Sequence, residues 1–336
     1  MRFNGSAWQV PKPGMPVGVP SDHFNGARRE GKSAQGRQES SSSPPHVSPA
    51  HPKPSAAAFG ERSSPAFFHQ VQLEEGNNMT ARCVVMNAAG ERPIICLHPV
   101  ERDIHVSGEL MRKGVWEAHL VHHFIKMLKS NRDAVVIDVG AQLGMYSLLA
   151  AKNGHRVLMV EPLTSNVDRI LLSLKKNGMS SRLNRDVLLF KNTVADVAGK
   201  QFKTVTSIAD NVGGTQWGEA GAKGGDTVTS ITLDMLLPML TGSKSLLMKL
   251  DIEGGECKAI QGARELFAGK RVMAVFMEFG QLKQQIGRLS PCSVSSSMQV
   301  LHDSGLTPFD PSGGKLSCCQ DTDMRRWGWD VIWRRV

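Results

Sequence analysis

The sequence of 336 residues lacks several features that would each assign it to a class of protein. No apolar run reaches the roughly 20 residues that a helix needs to span a membrane, so no membrane span is expected in this chain. No C-x-x-C pair occurs, which argues against a zinc knuckle or a thioredoxin-like motif. The 40 Lys and Arg residues outnumber the 31 Asp and Glu residues but form no dense basic cluster, so nucleic acid is not an expected partner.

Cysteine content and the N-terminus bear on the compartment, and they leave it open. The six cysteines are predicted to be free thiols in a reducing compartment, since no pair has motif spacing and adjacent cysteines rarely bridge each other. No signal peptide is recognisable, so a cytoplasmic location is the default expectation. The N-terminal segment is poor in acids and contains Arg and Ser. An organellar or secretory location would follow if this segment were a transit sequence or were truncated.

Composition divides the chain into a tail, a short connecting region and a main domain. The first 70 residues hold 10 of the 17 prolines and 11 serines and show no apolar periodicity, which predicts a disordered tail over residues 1–75. Residues 80–132 are predicted to form a hairpin, followed by an amphipathic helix from Gly114 to Ser130. The main domain is predicted over residues 133–336.

The main domain alternates short apolar strands with helices. Strands are predicted to end at Val139, Val160, Phe190, Leu250 and Glu278. This alternation predicts an α/β fold with a doubly wound, mostly parallel sheet. Residues 196–229 are rich in glycine and have no clear period, so they are predicted to be an insertion or a mobile loop near the site.

A glycine-containing turn follows the first of these strands. Asp138 lies near the end of the strand, and Gly140 and Gly144 flank a turn into a helix. The spacing is D-x-G-x-x-x-G rather than the G-x-G-x-x-G of dinucleotide-binding proteins. A carboxylate at this position repels phosphate but suits the ammonium group of a nucleoside that carries an amino acid, such as S-adenosylmethionine. Asp138 alone could simply form the turn.

Glu161 ends the next strand, 17 residues after Gly144 (161 − 144). A carboxylate there can accept hydrogen bonds from both ribose hydroxyls. Glu161 alone could also be an exposed cap beside Pro162. Two acids at the ends of neighbouring strands together predict a nucleoside site.

Further acids collect at the ends of the later strands. Asp251, Glu253 and Glu256 follow the fourth strand, and Glu278 ends the fifth. The carboxyl ends of such strands form the rim where a substrate would meet the cofactor. Glu256 could instead cap the following helix, because acids are favoured in a first helical turn.

From about Asp103 to Arg334 the chain resembles the FkbM-type methyltransferases, which have the class I, S-adenosylmethionine-dependent fold. The segments that carry the resemblance are Gly114–Glu117, Asp138–Ser147, Val160–Pro162 with Asn177, Val228–Asp234 and, as the most specific, Lys249–Glu256. The resemblance implies that Asp138, Gly140, Gly144 and Glu161 bind S-adenosylmethionine, and that Asn192 contacts its adenine. Gln142 stands where the family usually has Asn.

The predicted reaction is methyl transfer to a hydroxyl oxygen of a small-molecule or carbohydrate acceptor. Asp251 is the first candidate for the base or for positioning of the acceptor, followed by Glu253 and Glu278. No Asn-Pro-Pro-aromatic motif is present, which argues against methylation of amino groups on nucleic-acid bases. No metal is assigned, although Asp251 and Glu278 could hold Mg²⁺.

Two other functions stay open at this point. One is a nicotinamide-dependent oxidoreductase on the same sheet, and the other is a non-catalytic module that keeps the cofactor site, for which Gln142 is the only hint. Two further groups have simpler interpretations. His119, His122 and His123 are predicted to lie on a solvated or hydrogen-bonded helix face, and Trp327, Trp329 and Trp333 to pack at an edge of the core. The oligomeric state cannot be read from the sequence.

Overall fold

A computed structural model describes residues 67–72, 80–208, 211–219, 226–288 and 292–336. The strands in these ranges, in chain order, are β1 (Cys83–Val85), β2 (Ile94–Cys96), β3 (Val135–Val139), β4 (Val157–Val160), β5 (Val187–Phe190), β6 (Thr193–Val194), β7 (Gln201–Ile208), β8 (Asn211–Glu219), β9 (Thr227–Ile231), β10 (Leu246–Leu250), β11 (Val272–Glu278), β12 (Thr307–Phe309) and β13 (Asp330–Arg334).

The α-helices in the same ranges are α1 (Val106–Lys113), α2 (Ala118–Ser130), α3 (Met145–Lys152), α4 (Thr164–Lys176), α5 (Glu256–Gln261), α6 (Arg264–Ala268), α7 (Gly280–Lys283), α8 (Val294–Asp303) and α9 (Asp321–Met324). Short 3₁₀ helices span Ser180–Arg182 and Leu233–Leu240. None of these helices is long and apolar enough to cross a membrane.

Seven strands form the central sheet, in the order β12-β13-β11-β10-β3-β4-β5. The neighbours from β11 to β5 pair in parallel, and β13 is antiparallel to both β11 and β12. The predicted doubly wound, mostly parallel α/β sheet is confirmed. The chain winds outward from β3 in one direction and from β10 in the other, so the two adjacent strands mark the point where a ligand binds in such sheets.

The central strands are apolar along their whole length because helices cover both faces of the sheet. Every residue of β3, β4 and β5 is buried. One core cluster lies between the sheet and helices α5, α6 and α8, and the other lies under α2, α3 and α4. A parallel sheet covered on both faces has this continuous apolar pattern. Lys249 is the one charged residue within β10, and it is almost fully buried.

Three local predictions differ from the structure. The segment predicted as an insertion or mobile loop, residues 196–229, contributes β7 and β8 and the start of β9 to a four-stranded sheet ordered β6-β9-β7-β8. The helix predicted from Gly114 begins at Ala118, because Gly114 caps α1 with a positive φ of 74°. The sequence pattern from Glu256 to Phe267 predicts one helix, but the structure has two, α5 and α6, separated at Gly262, where a Cβ would lie 2.5 Å from the Ala195 carbonyl oxygen.

The predicted hairpin before the main domain is present as the antiparallel pair β1 and β2. The prediction of free thiols is wrong, because the six cysteines are paired as Cys83–Cys96, Cys257–Cys292 and Cys318–Cys319. Cys83 and Cys96 face each other across the hairpin, so their side chains share one side of it. Most of the tail predicted over residues 1–75 lies outside the described residues. Within it, Gln70 bridges to Phe190 at the edge of the central sheet.

Candidate functional site

A cleft of about 1120 Å³ opens at the carboxyl ends of the central strands. Its walls are the loops that follow β3, β4, β10 and β11, with residues around the start of α2 on one side. The cleft therefore lies at the point where the strand order reverses, between β3 and β10. It is large enough for a cofactor and part of an acceptor, since sites for small molecules measure about 300–1,000 Å³.

The loop after β3 approaches the end of β10 so closely that glycine is required. Gly140 has a φ of 81°, and a Cβ on it would lie 1.8 Å from the Asp251 carbonyl oxygen. Gly144 has a φ of 80° and begins α3, where a Cβ would meet Ile170 at 3.1 Å. The sequence predicted Gly140 as a flank of the turn into a helix. The structure adds the reason that this position needs glycine, which is the contact with Asp251 after β10.

Asp138 is 1% exposed, and one of its oxygens is committed to the protein. Its Oδ2 accepts hydrogen bonds from the Ser147 amide (3.0 Å) and the Ser147 hydroxyl (2.5 Å), which ties the end of β3 to the first turn of α3. Burial raises the pKa of Asp138 to about 6, and the Ser147 hydrogen bonds oppose that shift. Asp138 thus shapes the cofactor loop, while its place in the cleft wall keeps it available to a cationic ligand.

Glu161 holds the two loops of the predicted nucleoside site together. Its Oε1 accepts from the Leu163 amide (2.9 Å) and the Asn166 side chain (3.0 Å), and its Oε2 accepts from the Gln142 amide (2.7 Å). Burial raises the pKa of Glu161 to about 7 against these hydrogen bonds. Each carboxylate oxygen can accept two hydrogen bonds, so Oε2 still has capacity for one ribose hydroxyl.

Gln142 takes the left-handed backbone conformation, with a φ of 52°. This conformation belongs to the turn in which its amide meets Glu161. Asparagine adopts positive φ more readily than glutamine does. The position where the family usually has Asn is therefore one where the backbone favours Asn.

Asn192 lies on the cleft wall, but its amide group binds the protein. The nitrogen donates to the Phe67 and Thr229 carbonyl oxygens, both at 2.9 Å, and the oxygen accepts from the His69 amide at 3.0 Å. Both side-chain donors are thereby used. A contact between Asn192 and adenine stays a prediction, and it would have to use the remaining lone pair of the amide oxygen or the backbone.

A second part of the cleft, at the end of β10 and beside Asp138 in the sheet, is built around Lys249, which is 3% exposed. Its ammonium group donates to Asp251 Oδ2 at 3.0 Å and lies 3.2 Å from Glu117 Oε2. The Tyr146 hydroxyl donates to the same Glu117 oxygen at 2.7 Å. Burial alone would lower the pKa of Lys249, but the Asp251 and Glu117 carboxylates outweigh burial and raise it well above its ordinary value. Lys249 therefore keeps its charge and fixes the orientation of Asp251.

Three glutamates surround Asp251, and burial raises the pKa of each. The pKa rises to about 7 for Glu253 and Glu256 and to about 9 for Glu278. The neighbouring carboxyl groups of Asp251, Glu253 and Glu256 add to the shift at Glu278. Hydrogen bonds from Gln281 to Glu253 (3.1 Å) and from Trp329 to Glu278 Oε1 (2.8 Å) position two of these side chains.

Trp329 is 58% exposed, contrary to the prediction that it packs in the core with Trp327 and Trp333, both of which are buried. It lies just before β13, its indole nitrogen donates to Glu278, and its ring lies against Gly280, where a Cβ would be 2.2 Å from the ring. The alternation expected of a strand does not apply at a position before the strand begins. The result is a fixed, exposed aromatic ring at the rim of the cleft.

The histidines of α2 lie on a solvated or hydrogen-bonded face, as predicted: His122 is exposed, and the other two are hydrogen-bonded. His119 Nε2 lies 3.0 Å from Asp330 Oδ2 at the cleft rim, and His123 Nε2 lies 2.9 Å from the Pro311 carbonyl oxygen. No histidine takes part in a potential metal-binding group among the described residues.

Acidic side chains strongly outnumber basic ones in the lining of the cleft. Of the described residues, eight acids line it, against three lysines and no arginine. Such a lining disfavours the pyrophosphate of a dinucleotide and favours a ligand that carries positive charge and no phosphate. It suits the sulfonium and ammonium groups of S-adenosylmethionine and counts against the nicotinamide-dependent alternative.

Residues 138–304 match the family model of the methyltransferase FkbM domain. The chain therefore contains an FkbM-type methyltransferase domain. The predicted family is confirmed, and with it the assignment as a methyltransferase with S-adenosylmethionine as cofactor. The matched region of this FkbM-type methyltransferase begins at Asp138, in the strand that leads into the cofactor loop, and extends past the acid cluster and Glu278.

Solved structures similar to this methyltransferase are more distant. A precorrin-6y C5,15-methyltransferase from Geobacter metallireducens is 16% identical with a TM-score of 0.32, and the match covers 68% of this chain and 90% of that one. An S-adenosylmethionine-dependent methyltransferase from Agrobacterium tumefaciens is 9% identical with a TM-score of 0.39, covering 80% and 74%. A methyltransferase of the same description from Listeria monocytogenes is 12% identical with a TM-score of 0.34, covering 66% and 100%. No curated protein matches the chain.

Three residues of this site had no role predicted for them from the sequence. Glu117 and Tyr146 meet Lys249 from parts of the chain more than 100 residues away, and Trp329 reaches Glu278 from beyond β12. Lys249 carried a usable signal, because a lysine within an otherwise apolar buried strand needs acidic partners. The sequence does not say which acids those are.

Proposed function

We propose that this methyltransferase transfers the methyl group of S-adenosylmethionine to a hydroxyl oxygen of a small-molecule or carbohydrate acceptor. When bound, the cofactor supplies an electrophilic methyl group on a sulfonium. Asp138, Gly140, Gly144 and Glu161 would hold it, with Asn192 at the adenine end. Their fit to the cofactor rests on the acidic lining and on the free hydrogen-bonding capacity of Glu161 Oε2.

The position of Asp251 is the observation that carries the proposal. Its backbone packs against Gly140 of the cofactor loop, and its half-buried carboxylate lies in the cleft, held by Lys249. A hydroxyl that donates to Asp251 would therefore lie beside the cofactor loop. A hydroxyl acceptor must lose its proton during transfer, and a positioned carboxylate can accept it. Asp251 is thus the proposed base.

Glu253, Glu278 and Trp329 are proposed to bind the acceptor. Hydroxyl groups are donors that match carboxylate acceptors. A sugar ring has hydroxyls at its edge and an apolar face, and the exposed Trp329 ring supplies a flat apolar surface next to Glu278. This pairing favours a carbohydrate or another polyhydroxylated ring over an extended apolar acceptor.

The test is a transfer assay with cofactor labelled in the methyl group. Purified protein is incubated with panels of sugars, hydroxylated small molecules and amine-bearing analogues, and labelled products are analysed by mass spectrometry. We expect label on a hydroxyl oxygen, as a methyl ether that survives mild base. Label found only on nitrogen would overturn the proposed oxygen acceptor.

Cofactor binding is measured separately by calorimetric titration with S-adenosylhomocysteine, with NAD as the control ligand. Asp138→Asn and Asp138→Ala are titrated beside the wild type, and circular dichroism checks that each is folded. Binding of S-adenosylhomocysteine, absence of NAD binding and weakening in both variants are the expected results. Binding without transfer to any acceptor in the panels would favour the non-catalytic module instead.

A further inference from the structure

Three acids lie close together at the acceptor end of the cleft, the part around Asp251 where the acceptor is proposed to bind. Their negative charges would repel one another at such short distances. Asp251, Glu256 and Glu278 each present one carboxylate oxygen, and the three oxygens lie within 4.8 Å of one another. They come from the end of β10, the start of α5 and the end of β11. In the part of the chain that the structure describes, no other group of three or more acids, histidines or cysteines converges in this way.

Two of these acids each have an oxygen without a partner, and both are deeply buried. Glu256 is 0% exposed and Glu278 is 8% exposed. Glu256 Oε2 and Glu278 Oε2 have no hydrogen-bond partner among the described residues. The other oxygen of each is bound, since Glu256 Oε1 accepts from the Ile252 amide at 2.8 Å and Glu278 Oε1 accepts from the Trp329 indole at 2.8 Å.

An unpaired oxygen on a buried carboxylate is costly unless something compensates it. Lys249 does not do so, because its ammonium group contacts Asp251 and Glu117. No lysine or arginine of the described residues forms an ion pair with Glu256 or Glu278. The two oxygens therefore have room for a positively charged partner that the described part of the chain does not supply.

We propose that Asp251, Glu256 and Glu278 form a binding site for a hard divalent cation of the Mg²⁺ or Ca²⁺ type. Such ions prefer carboxylate oxygens at about 2.1–2.6 Å, so two oxygens on opposite sides of one ion lie about 4.2–5.2 Å apart. The three oxygens lie within 4.8 Å of one another, so their separations do not exceed what one ion can bridge. Sulfur- and imidazole-binding metals are disfavoured because the three ligands are all carboxylates.

The site lies where the acceptor is proposed to bind. A cation there would offer open coordination positions toward the cleft, and two neighbouring hydroxyls of a polyhydroxylated acceptor could fill them. This use of the ion rests on the proposed function, whereas the existence of the site does not. Asp251 belongs to both proposals, so variants of Asp251 do not separate them. Variants of Glu256 and Glu278 do.

The test uses Mn²⁺ as a probe on the full-length, cofactor-free protein. Free Mn²⁺ is followed by electron paramagnetic resonance, and Mg²⁺ and Ca²⁺ are added as competitors. Glu256→Gln and Glu278→Gln each keep the oxygen that accepts the existing hydrogen bond and remove the negative charge. Glu109→Gln removes a carboxylate from the same cleft outside the three-acid group and is the matched control. Circular dichroism checks that each variant is folded.

We expect one saturable Mn²⁺ site per chain, competed by Mg²⁺ or Ca²⁺. Loss of a direct ligand should cost at least the tenfold in affinity found for outer-shell changes, so Glu256→Gln and Glu278→Gln should each weaken binding by about tenfold or more. Glu109→Gln should bind like the wild type. Absence of Mn²⁺ binding to the folded wild type would overturn the proposal, and so would binding that neither glutamine variant weakens.

Titration with S-adenosylhomocysteine in the presence of a chelator distinguishes the two proposals. Cofactor binding and oxygen methylation without any Mn²⁺ binding would remove the cation site and leave the proposed function intact. A Mn²⁺ site in a protein that methylates only nitrogen would support the cation site and overturn the proposed oxygen acceptor.

Discussion

Two parts of the cleft, the cofactor end and the acceptor end, differ in how fully the protein hydrogen-bonds their buried carboxylates. At the cofactor end, Asp138 and Glu161 are buried, and the protein supplies five hydrogen bonds to them. At the acceptor end, Glu256 and Glu278 are buried to a similar degree, and each keeps one oxygen that no described residue hydrogen-bonds. Both pairs have raised pKa values because of burial.

This difference shows how each end is stabilised before any ligand binds. The cofactor end is preorganised, because hydrogen bonds from the protein already hold its acids and the loops around them in place. The acceptor end is less completely satisfied, so a ligand or ion can compensate its charge on binding. Gly140 joins the two ends, since its loop touches the backbone of Asp251.

Replacing Asp251 tests the difference between the cofactor end and the acceptor end most directly, and we expect this substitution to have the largest effect. Asp251→Asn keeps the shape of the side chain but cannot accept the acceptor proton as a base. With the acceptor from the transfer screen, turnover should fall by about 10²–10⁴-fold, the usual contribution of a positioned acid or base. Calorimetry should show that S-adenosylhomocysteine still binds, because the cofactor end is unchanged.

Glu109→Gln is the control for this experiment, since it removes a carboxylate at the rim whose contact is an exposed pair with Lys113. Such a pair is worth about 0.3–0.5 kcal/mol, so turnover should stay near the wild-type value. If Asp251→Asn lost cofactor binding together with turnover, the two ends would not be separable in this way.

Gly140→Ala should disrupt both the cofactor end and the acceptor end of the cleft. The new Cβ would lie 1.8 Å from the Asp251 carbonyl oxygen, and the φ of 81° is unfavourable for alanine. We expect a loss of about 4 kcal/mol or more in the free energy of unfolding, among the larger effects of single substitutions. Urea unfolding measures this loss, and calorimetry should show weakened binding of S-adenosylhomocysteine.

Gly178→Ala provides the matched comparison. Gly178 also has a positive φ, of 67°, but no heavy atom lies within 4 Å of its Cβ position. Only the backbone term remains, which is about 1–2 kcal/mol. Equal losses in the two variants would mean that the contact with Asp251 contributes nothing.

The buried acids of the cofactor end should also make stability depend on pH. The pKa of Glu161 is about 7 in the folded protein, against an ordinary value of 4.5. Between these values the folded chain binds more protons than the unfolded chain, so the contribution of Glu161 to stability falls as the pH rises from 4.5 to 7. Glu161→Gln cannot titrate and should show a flatter profile.

Urea unfolding at pH 5 and pH 7.5 measures this effect. The difference in unfolding free energy between wild type and Glu161→Gln should change by more than about 1.4 kcal/mol, the value of one pKa unit, with the wild type favoured at the lower pH. Asp138→Asn should likewise make the free energy of unfolding less dependent on pH, between pH 3.8 and about pH 6. Parallel profiles for wild type and Glu161→Gln would contradict the raised pKa of Glu161.

The sequence was sufficient for the sheet and for the acids at its rim, because both depend on local patterns. Apolar strands alternating with helices define the parallel sheet, and the carboxyl ends of its strands define the rim where Asp138, Glu161, Asp251 and Glu278 meet. The sequence could not show which oxygens are already bound. That depends on partners brought in by the fold, such as Ser147 for Asp138, Lys249 for Asp251 and Trp329 for Glu278.

The sequence patterns did not predict the irregular parts of the backbone either. The glycine-rich segment before β9 gave no period, yet it contains two long paired strands. The helix start at Ala118 depends on Glu117 having a φ of 48°, a conformation that no pattern around a glutamate predicts. Gln142 is the instructive case, because its departure from the family residue was visible in the sequence and its left-handed φ was not.

Gln142→Asn gives the smallest and most specific prediction. Asparagine tolerates a φ of 52° better than glutamine, so the variant should gain about 0.5 kcal/mol in unfolding free energy, a fraction of the cost of the left-handed conformation. The Gln142 amide would keep its hydrogen bond to Glu161, since that bond comes from the backbone. Urea unfolding measures the gain. Affinity for S-adenosylhomocysteine should stay the same or rise slightly, because the substitution changes the stability of the loop and not its contacts. A loss of stability on Gln142→Asn would mean that the glutamine side chain makes a contribution of its own to the cofactor loop.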